Sequence, residues 1–401
     1  MKNVLSGSRR RKPEAVGPSR INPRSNGVLK WVRRANKPSY AGSLGTAIGM
    51  IDLFCGCGGL SLGALEAARR ARRPLDIRLA VDFDTDAIAV YKRNLPLKND
   101  RCHCQALQTI CNGEIGSGLT TQERSLRESL GDIDLLLAGP PCQGHSDLNN
   151  STRRDDPRNR LYLLAARGVE LFRPRHAFIE NVPGVIHDTS NVIEIARRVM
   201  EAAGYTVSMA FAQVHDFGLP QRRRRHLLFA SRDCNIEIRS LFPPERPKTE
   251  VAVGPFIQDI QDEPERLEDK LYRPGKMTIE NRKRVEYLFD NNLHELPDKM
   301  RPPCHRDKEH GYRSVYGRMY WSLPSPTITS GFGSMGQGRY IHPSRRRLIT
   351  PHEALRIQGF PDFFDFSDVS GLTSLRTLIG NAVPPPLMTY LISQLLERKL
   401  L

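Results

Sequence analysis

Residues 133–146, Ile-Asp-Leu-Leu-Leu-Ala-Gly-Pro-Pro-Cys-Gln-Gly-His-Ser, decide the fold. Residues 133–138 are an apolar run of strand length, and the glycine and two prolines that follow must end the strand in a tight turn. Cys142 is therefore presented at the carboxyl end of a buried strand, where open α/β sheets bind their ligands. The prolines restrict the backbone before the thiol and Gly144 leaves room after it, whereas a structural cysteine needs neither. Taken alone, the segment is also consistent with an ordinary proline-rich turn.

Short apolar runs alternate with amphipathic stretches along residues 49–231, a pattern typical of a parallel sheet with crossover helices. The sequence predicts strands over 50–54, 79–83, 133–138 and 177–179, helices over 60–70, 86–93, 191–203 and 386–398, and a closing strand pair over 205–214 and 226–231. The expected fold class is therefore α/β, a doubly wound, Rossmann-like sheet accompanied by a smaller irregular domain.

Composition divides the chain into three parts. Residues 1–46 are rich in Arg, Lys, Pro, Ser and Gly with a single acid, Glu14, and are predicted to be a basic arm that is disordered when free. Residues 47–232 together with 376–401 are predicted to form the main domain. Residues 233–375 are polar and irregular over much of their length, with one helix near 278–289, and are predicted to form the smaller domain.

The charge balance favours a polyanionic partner. The chain has 401 residues, with 60 Lys and Arg against 44 Asp and Glu and a formal net charge of +16. A generically basic, soluble protein is the alternative that charge alone leaves open. No apolar run approaches the length of a membrane span, and no apolar signal core follows the N-terminal arginines. Eight scattered cysteines lack the density of a disulfide framework, which indicates reduced thiols and a cytoplasmic location.

A glycine loop, Phe54-Cys55-Gly56-Cys57-Gly58-Gly59, joins the first predicted strand to its helix. Such a loop lets a ligand approach the backbone at a helix N-terminus, although its glycines depart from the G-x-G-x-x-G dinucleotide pattern. Asp82 ends the second strand, where an acid can bind ribose hydroxyls, and Phe83 beside it can stack on an adenine. A tight turn and a strand-end acid without a ligand are the alternative. Cys102-His103-Cys104 matches no common zinc spacing, so no metal site is predicted.

Glu180 ends the predicted strand at 177–179 and is the candidate partner of Cys142. In a doubly wound sheet, neighbouring strand ends can place both side chains around one pocket. A carboxyl beside a nucleophile can protonate or grip a substrate, although a lone glutamate more often caps a helix.

Residues 221–226, Gln-Arg-Arg-Arg-Arg-His, lead into a predicted strand. Strand alternation places Arg223 and Arg225 on one face and Arg222 and Arg224 on the other, so that one pair can face the pocket. A bare basic run is otherwise usually a solvated face. The remaining blocks are Pro324-Ser325-Pro326-Thr327-Ile328-Thr329 with Arg318 upstream, residues 342–361, and Gly380-Asn381-Ala382-Val383-Pro384-Pro385-Pro386.

In this order the blocks resemble the ordered motifs of the C5-cytosine DNA methyltransferases, over residues 50–396. The resemblance implies an S-adenosylmethionine-dependent enzyme that methylates C5 of a flipped-out cytosine in a specific duplex DNA sequence. It implies that the main domain is catalytic and that residues 233–375 hold the target-recognition region and a hinge. The implied partners are double-stranded DNA and, in a restriction-modification system, a cognate endonuclease; the chain is expected to be a monomer.

The resemblance also implies roles for individual residues. Cys142 is expected to attack C6 of the base, Glu180 to bind the base edge and stabilise protonated N3, and Arg225 to contact O2 with support from Arg223. The residues expected to hold S-adenosylmethionine are Phe54, Gly56, Gly58, Gly59, Asp82, Phe83, Pro140, Asn381 and Val383. The residues expected to contact DNA are Gln143, Ser146, Arg318 and Thr327.

One departure from the family pattern concerns the cofactor's adenine. Family members often carry an acidic residue after the third strand, whereas residues 104–107 here are Cys-Gln-Ala-Leu, leaving Asp100 or Gln105 as substitutes. Two alternatives stay open: an RNA cytosine methyltransferase, and a DNA-binding homologue without catalysis. A full recognition-sized insertion argues against the first. The presence of Cys142, Glu180 and Arg225 together argues against the second, because a binding protein needs no nucleophile.

Overall fold

A computed structural model describes residues 23–42, 44–98, 101–141, 160–244, 249–262, 264–306 and 315–401. Cys142, Gln143 and Ser146 of the predicted site lie outside the described residues, as do Asp100 and residues 1–22 of the predicted arm.

The strands are β1 (Ile48–Leu53), β2 (Leu75–Asp82), β3 (Cys102–Cys104), β4 (Leu135–Ala138), β5 (His176–Asn181), β6 (Thr206–Gln213), β7 (Gln221–Arg222), β8 (Arg224–Ser231) and β9 (Ser325–Pro326). Seven of them form one sheet in the order β3-β2-β1-β4-β5-β8-β6, and β7 pairs with β9 in a small separate sheet. Strands β1 to β5 are parallel, whereas β8 runs antiparallel to both β5 and β6. The predicted parallel sheet and its closing strand pair are confirmed.

The helices are α1 (Pro23–Val32), α2 (Gly59–Arg70), α3 (Thr85–Asn94), α4 (Thr121–Leu130), α5 (Leu161–Phe172), α6 (Val192–Ala202), α7 (Gly254–Ile257), α8 (Ile279–Asp290), α9 (Pro303–Arg306), α10 (Pro351–Gln358), α11 (Leu372–Asn381) and α12 (Pro385–Glu397). Helix α8 confirms the helix expected near 278–289, and the Thr278 side chain caps it by accepting from the Asn281 amide.

Helices cover both faces of the sheet, which makes the fold doubly wound. Alternate strand residues face opposite sides, so Met50 lies in the same apolar cluster as α2 and α12, whereas Leu53 lies in the cluster that contains α5 and α6. Helices α2 and α12 approach closely because Gly63 has no side chain: a Cβ there would lie 2.4 Å from the Pro385 carbonyl oxygen.

Residues 233–375 form an irregular lobe whose apolar side chains continue the core of the main domain. Phe256, Leu288 and Tyr340 belong to the same buried cluster as α2 and α12. The predicted boundary at 375/376 falls within helix α11, which runs from Leu372 to Asn381, and the division into domains stays a prediction.

The expectation of a disordered arm is wrong for its second half, because residues 23–32 form helix α1. Leu29, Trp31 and Val32 are buried, and the Trp31 indole Nε1 donates to the Gly359 carbonyl at 3.0 Å. The basic composition averaged over 46 residues hid these apolar side chains, whose burial offsets the entropy of ordering the segment.

No helix within the described residues is long and apolar enough to cross a membrane.

Candidate active site

Three residues of the glycine loop after β1 adopt positive φ angles. Gly56 and Gly58 have φ angles of 51° and 90°, and Phe54 adopts a left-handed φ of 55°, a conformation that a non-glycine residue rarely takes. The Gly56 amide donates to the Asp82 carboxylate Oδ2 at 2.8 Å, which fixes the loop to the end of β2. Nothing lies within 4 Å of a Cβ built on Gly56, so the loop faces open space at that point.

Gly59 brings the C-terminal block against this loop. A Cβ on Gly59 would lie 2.3 Å from the Val383 carbonyl oxygen, so only glycine permits the approach. Asn381, at the end of α11, is exposed beside this contact. Gly56, Gly58, Gly59, Asp82 and Val383, which the sequence assigned to one site, therefore meet around one loop.

Phe83 and Gln105 lie at neighbouring strand ends beside Asp82. The Phe83 side chain is 66% exposed, unusual for a large apolar residue, and is free to stack on a planar ligand. Gln105, also exposed, follows β3 and donates its amide to the Asp82 carbonyl at 2.9 Å. Of the two substitutes considered for the missing acid, Gln105 is the one within the described residues.

Asp52 lies under the glycine loop and is fully buried. Its Oδ2 accepts from the Ser61 hydroxyl at 2.5 Å, and that hydroxyl lies 2.7 Å from the Tyr91 hydroxyl. Burial raises the pKa of the Asp52 carboxyl to about 7, against the lowering effect of the Ser61 hydrogen bond. This trio ties β1, α2 and α3 together directly below the loop.

Glu180 and Arg225 form the centre of the second half of the site. Glu180 stands near the end of β5 with 7% of its surface exposed, and Arg225 Nε lies 2.7 Å from its Oε1 across the β5–β8 pair. Burial raises the pKa of the Glu180 carboxyl, and the charges of Arg225 and Arg223 act in the opposite direction.

The turn that leads to Cys142 reaches the same strand ends. The Gly139 amide donates to the Leu53 carbonyl at 3.2 Å, and the Asn181 side chain donates to the Pro140 carbonyl at 3.4 Å. Pro140 is thus held between the end of β1 and the residue that follows Glu180. The segment beyond Pro141 lies outside the described residues.

Arg223 supports the site through hydrogen bonds from its buried guanidinium to backbone carbonyls. It is 1% exposed and its guanidinium donates to the carbonyls of Ile328 (2.8 Å), Gly380 (3.1 Å) and Ala382 (3.2 Å). Its charge therefore joins the Thr327 block to the Val383 block, and the strand is interrupted at Arg223 between β7 and β8. Arg222 and Arg224, which strand alternation predicts on the opposite face, have other partners. Arg222 pairs with Glu250, and Arg224 lies over the Phe211 ring.

Thr327 and Arg318 occupy different surroundings. The Thr327 hydroxyl donates to the Arg222 carbonyl at 2.8 Å, next to the β7–β9 pair and close in sequence to the Arg223 contacts. Arg318 belongs to the irregular lobe, where its Nε donates to the Pro343 carbonyl and its guanidinium lies 4.3 Å from the centre of the Phe289 ring. Both of these partners belong to the lobe, and neither is one of the other predicted site residues.

Two buried glutamines that the sequence analysis did not select hold these blocks in register. Gln221 Oε1 accepts from the Ile328 amide at 3.0 Å, and its Nε2 donates to the Gln358 side chain at 2.9 Å. Gln358 in turn donates to the Ile379 carbonyl at 2.6 Å. The available signal was a glutamine within each of two motif blocks, since a glutamine buried among motifs must have hydrogen-bonding partners.

The family model for the C-5 cytosine-specific DNA methylase matches residues 48–397, nearly the whole described fold. The chain belongs to the C-5 cytosine-specific DNA methylase family. Among curated relatives of this family member, the Type II methyltransferase M1.BsuMI of Bacillus subtilis (strain 168) is 42% identical over 367 residues, covering 90% of this chain and 83% of the relative. The Type II methylase M.HgiDII of Herpetosiphon aurantiacus is 27% identical and covers 84% of this chain and 91% of the relative.

A solved structure agrees with the fold of this methylase family member. The S. pombe Dnmt2 methyltransferase superposes with a TM-score of 0.59 at 17% identity, covering 88% of this chain and 99% of that one. At this identity the likeness concerns the fold alone.

Proposed function

We propose that this methylase family member transfers a methyl group from S-adenosylmethionine to C5 of a cytosine in duplex DNA. The observation that carries the proposal is the buried Glu180–Arg225 pair at the end of β5, beside the Pro140-Pro141 turn that leads directly to Cys142. A buried carboxyl paired with an arginine, next to the turn that precedes a candidate nucleophile in the sequence, is what base activation requires.

The loop after β1 fits the adenosyl cofactor. Open space at Gly56, the Asp82 carboxylate beneath it and the exposed Phe83 ring supply room, a hydroxyl acceptor and a stacking surface in one row. Burial raises the pKa of Asp82, and the amides of Gly56 and Asp84 donate to its two carboxylate oxygens, which fixes the carboxyl beside the open loop. S-Adenosylmethionine, when bound, supplies the electrophilic methyl group.

The protein's own residues activate the base. We propose that the Cys142 thiolate adds to C6, which forms a C–S bond and moves the C5–C6 double-bond electrons through C4 toward N3. Protonated Glu180 donates a proton to N3, so that C5 becomes the nucleophilic carbon of an enamine. After C5 has gained the methyl group, loss of its proton to a base and release of the Cys142 sulfur restore the aromatic ring, and N3 returns its proton to Glu180.

In this scheme Arg225 contacts both the Glu180 carboxyl and the base. Its guanidinium holds the Glu180 carboxyl in place at 2.7 Å and, by the family resemblance, contacts O2 of the base. Raising the Glu180 pKa by burial favours the protonated form that the reaction needs. The base must leave the DNA stack, at a cost of a few kcal/mol, because C6 is covered by its neighbours within a duplex.

The relatives' names support a biological setting. Both are Type II enzymes, which favours methylation of one short DNA sequence in a restriction-modification system with a cognate endonuclease. The net charge of +16 suits a duplex DNA substrate.

Base-resolution sequencing of 5-methylcytosine tests the proposal. DNA is taken from a methylation-deficient bacterial host that expresses the chain, beside the same host with a Cys142→Ser variant. We expect modification in one short sequence context with the wild-type chain and none with the variant. Unmodified DNA from cells containing soluble protein that binds S-adenosylmethionine contradicts the proposal and directs the search to RNA.

A further inference from the structure

We propose that Arg33 is a positioning residue that holds helix α7 and thereby fixes the segment 321–328 beside the base-binding half of the site. Arg33 belongs to residues 23–42, here called the N-terminal strap, which precedes the part matched by the family model. The consequence for DNA affinity rests on the proposed function, whereas the structural coupling can be tested without it.

The strap is docked on the turn after α10 by direct contacts. Trp31 donates to the Gly359 carbonyl and packs edge-on against Phe363, with ring centres 5.6 Å apart. The Asp362 amide donates to the Val32 carbonyl at 2.9 Å, and the Phe363 amide donates to the Arg34 carbonyl at 3.0 Å. This pairing fixes the backbone on both sides of Arg33, so its side chain leaves the strap from a defined position.

Arg33 uses that position to reach α7. Its Nη2 donates to the Pro255 carbonyl at 2.7 Å and to Asp259 Oδ1 at 3.1 Å. Asp259 Oδ1 also accepts from Arg356 at 2.8 Å, and Arg356 donates to the Asp362 carboxylate through Nε and Nη2. The strap, the residue Asp259 just after α7, α10 and the turn after α10 therefore meet in one alternating cluster of two arginines and two aspartates.

Helix α7 connects this cluster to the candidate site. The Val253 amide donates to the Leu323 carbonyl and the Gly254 amide donates to the Trp321 carbonyl, both at 3.0 Å. A Cβ on Gly254 would lie 2.9 Å from the Trp321 carbonyl oxygen, so the two segments are in close contact.

The last step leads from residue 323 to the arginines. Strand β9 follows immediately and pairs with β7, and the Ser325 amide donates to the Pro220 carbonyl at 2.8 Å. The Ile328 carbonyl, two residues after the end of β9, accepts from Arg223, which lies two residues before Arg225. A shift of α7 is thus passed along hydrogen-bonded backbone to the side of the site that holds Glu180 and Arg225.

Arg33 is suited to a test because its loss should spare the fold. The side chains of Arg33 and Asp259 are 36% and 41% exposed, so their ion pair adds little to stability, whereas Trp31 carries the docking of the strap. Arg197 offers a matched control: its side chain is 33% exposed and also pairs with carboxylates, Glu194 and Glu201, but all three lie on helix α6.

The experiment compares full-length Arg33→Ala, Arg33→Lys and Arg197→Ala with the wild type. Amide hydrogen exchange of the free protein is followed over residues 250–258 and 320–328, and kinetics are measured on a duplex containing the sequence that methylation sequencing identifies. For Arg33→Ala we expect faster exchange in both segments and a KM for DNA raised about three- to tenfold, with kcat and S-adenosylmethionine affinity within about twofold of wild type. Arg33→Lys should restore part of the protection, and Arg197→Ala should match the wild type in every readout.

Two outcomes overturn the inference. Unchanged exchange at 320–328 in Arg33→Ala excludes the coupling, and if the KM for DNA nevertheless rises, Arg33 contacts DNA directly. Equal changes in Arg33→Ala and Arg197→Ala show a general loss of stability. A wild-type chain inactive on DNA contradicts the proposed function instead, while the exchange measurement still decides whether Arg33 holds α7.

Discussion

At the scale of single residues, the site depends on the Glu180 carboxyl, whose environment shifts its pKa in two opposite directions. Burial raises the pKa of Glu180, whereas the neighbouring Arg225 and Arg223 charges lower it, and the net direction is upward. A raised pKa eases protonation of the Glu180 carboxyl, which is the direction expected of a group that passes a proton to a base nitrogen as a general acid.

Glu180→Gln tests this behaviour, because glutamine keeps the shape of the side chain and cannot transfer a proton. We expect methyl transfer to fall about 10²- to 10⁴-fold while the protein stays folded and binds S-adenosylmethionine as before. Single-turnover transfer of a labelled methyl group to DNA measures the loss.

The control for this variant is another buried, arginine-paired glutamate. Glu123 is fully buried and lies 2.6 Å from Arg167, between α4 and α5. Glu123→Gln should lower the melting temperature and leave the rate per folded molecule unchanged. A wild-type rate in the Glu180→Gln enzyme would show that the Glu180 carboxyl takes no part in the reaction.

Asp52 gives a pH prediction of its own. Its pKa is raised to about 7 in the folded protein from an ordinary value of 3.8, so the unfolded chain releases this proton at lower pH than the folded one. The folded state therefore loses stability relative to the unfolded state as pH rises from about 4 to about 7. Asp52→Asn removes this loss, and its free energy of unfolding minus that of the wild type should rise by roughly 2 to 4 kcal/mol across that interval.

Denaturant unfolding at several pH values measures this difference for Asp52→Asn. The control is Asp84→Asn, which changes a carboxyl that accepts from the Ala87 amide as a helix cap. A constant offset between Asp52→Asn and wild type from pH 4 to 8 would mean that Asp52 titrates normally.

At the scale of elements, a close backbone contact joins the N-terminal and C-terminal segments of the main domain. Helix α2 begins at Gly59, which lies directly against the Val383 carbonyl just before α12. A side chain at Gly59 would collide with this backbone carbonyl, which cannot move aside as a flexible side chain could. Gly59→Ala should cost roughly 1 to 3 kcal/mol of unfolding free energy, because the added methyl pushes the Val383 block away from the glycine loop.

The same displacement should weaken S-adenosylmethionine binding, which calorimetric titration measures on the purified variant. Gly118→Ala is the matched control, since nothing lies within 4 Å of a Cβ at Gly118, and it should leave affinity and stability close to wild type. Wild-type cofactor affinity in Gly59→Ala would separate the Val383 contact from the cofactor site.

Much of this element structure could be predicted from local patterns. Apolar runs and helical periodicity indicated the strands and helices of the main domain, because each buries one regular face. The family resemblance grouped Gly59 with Val383 and Glu180 with Arg225. The structure brings both pairs together, because Val383 packs against the start of α2 and the start of the antiparallel strand β8 lies beside the end of β5.

Other contacts depend on long-range packing that no local pattern reports. Arg223 looks like any member of its basic run, and only the fold reveals that three carbonyls from residues 328, 380 and 382 surround it. Helix α1 was hidden in the same way, since Trp31 finds its partners more than 300 residues away. Arg318 shared the spacing of a motif block, yet its side chain contacts Pro343 and Phe289 within the irregular lobe.

At the scale of the whole molecule, only part of the positive charge is available to bind DNA, because many arginines are already paired with carboxylates in the fold. Arg347 with Asp262 and Glu353, and Arg93 with Asp365 and Asp368, illustrate this. Residues 1–22 contain six basic side chains, Lys2, Arg9, Arg10, Arg11, Lys12 and Arg20, against one acid, Glu14. We therefore predict that this concentrated positive charge contacts DNA phosphates.

Two truncations separate this charge from the structural role of the strap. Removal of residues 2–22 should weaken DNA binding and reduce the slope of log affinity against log salt by about 0.9 for each phosphate that the arm neutralises, with turnover retained. Removal of residues 2–42 also deletes Trp31 together with its hydrogen bond to Gly359 and its packing on Phe363, so it should in addition lower the melting temperature. Fluorescence anisotropy with labelled duplex DNA at several salt concentrations gives the slopes, and thermal unfolding gives the stabilities. An unchanged slope after removal of residues 2–22 would show that the basic arm does not contact DNA, and equal melting temperatures for both truncations would show that helix α1 contributes nothing to the fold.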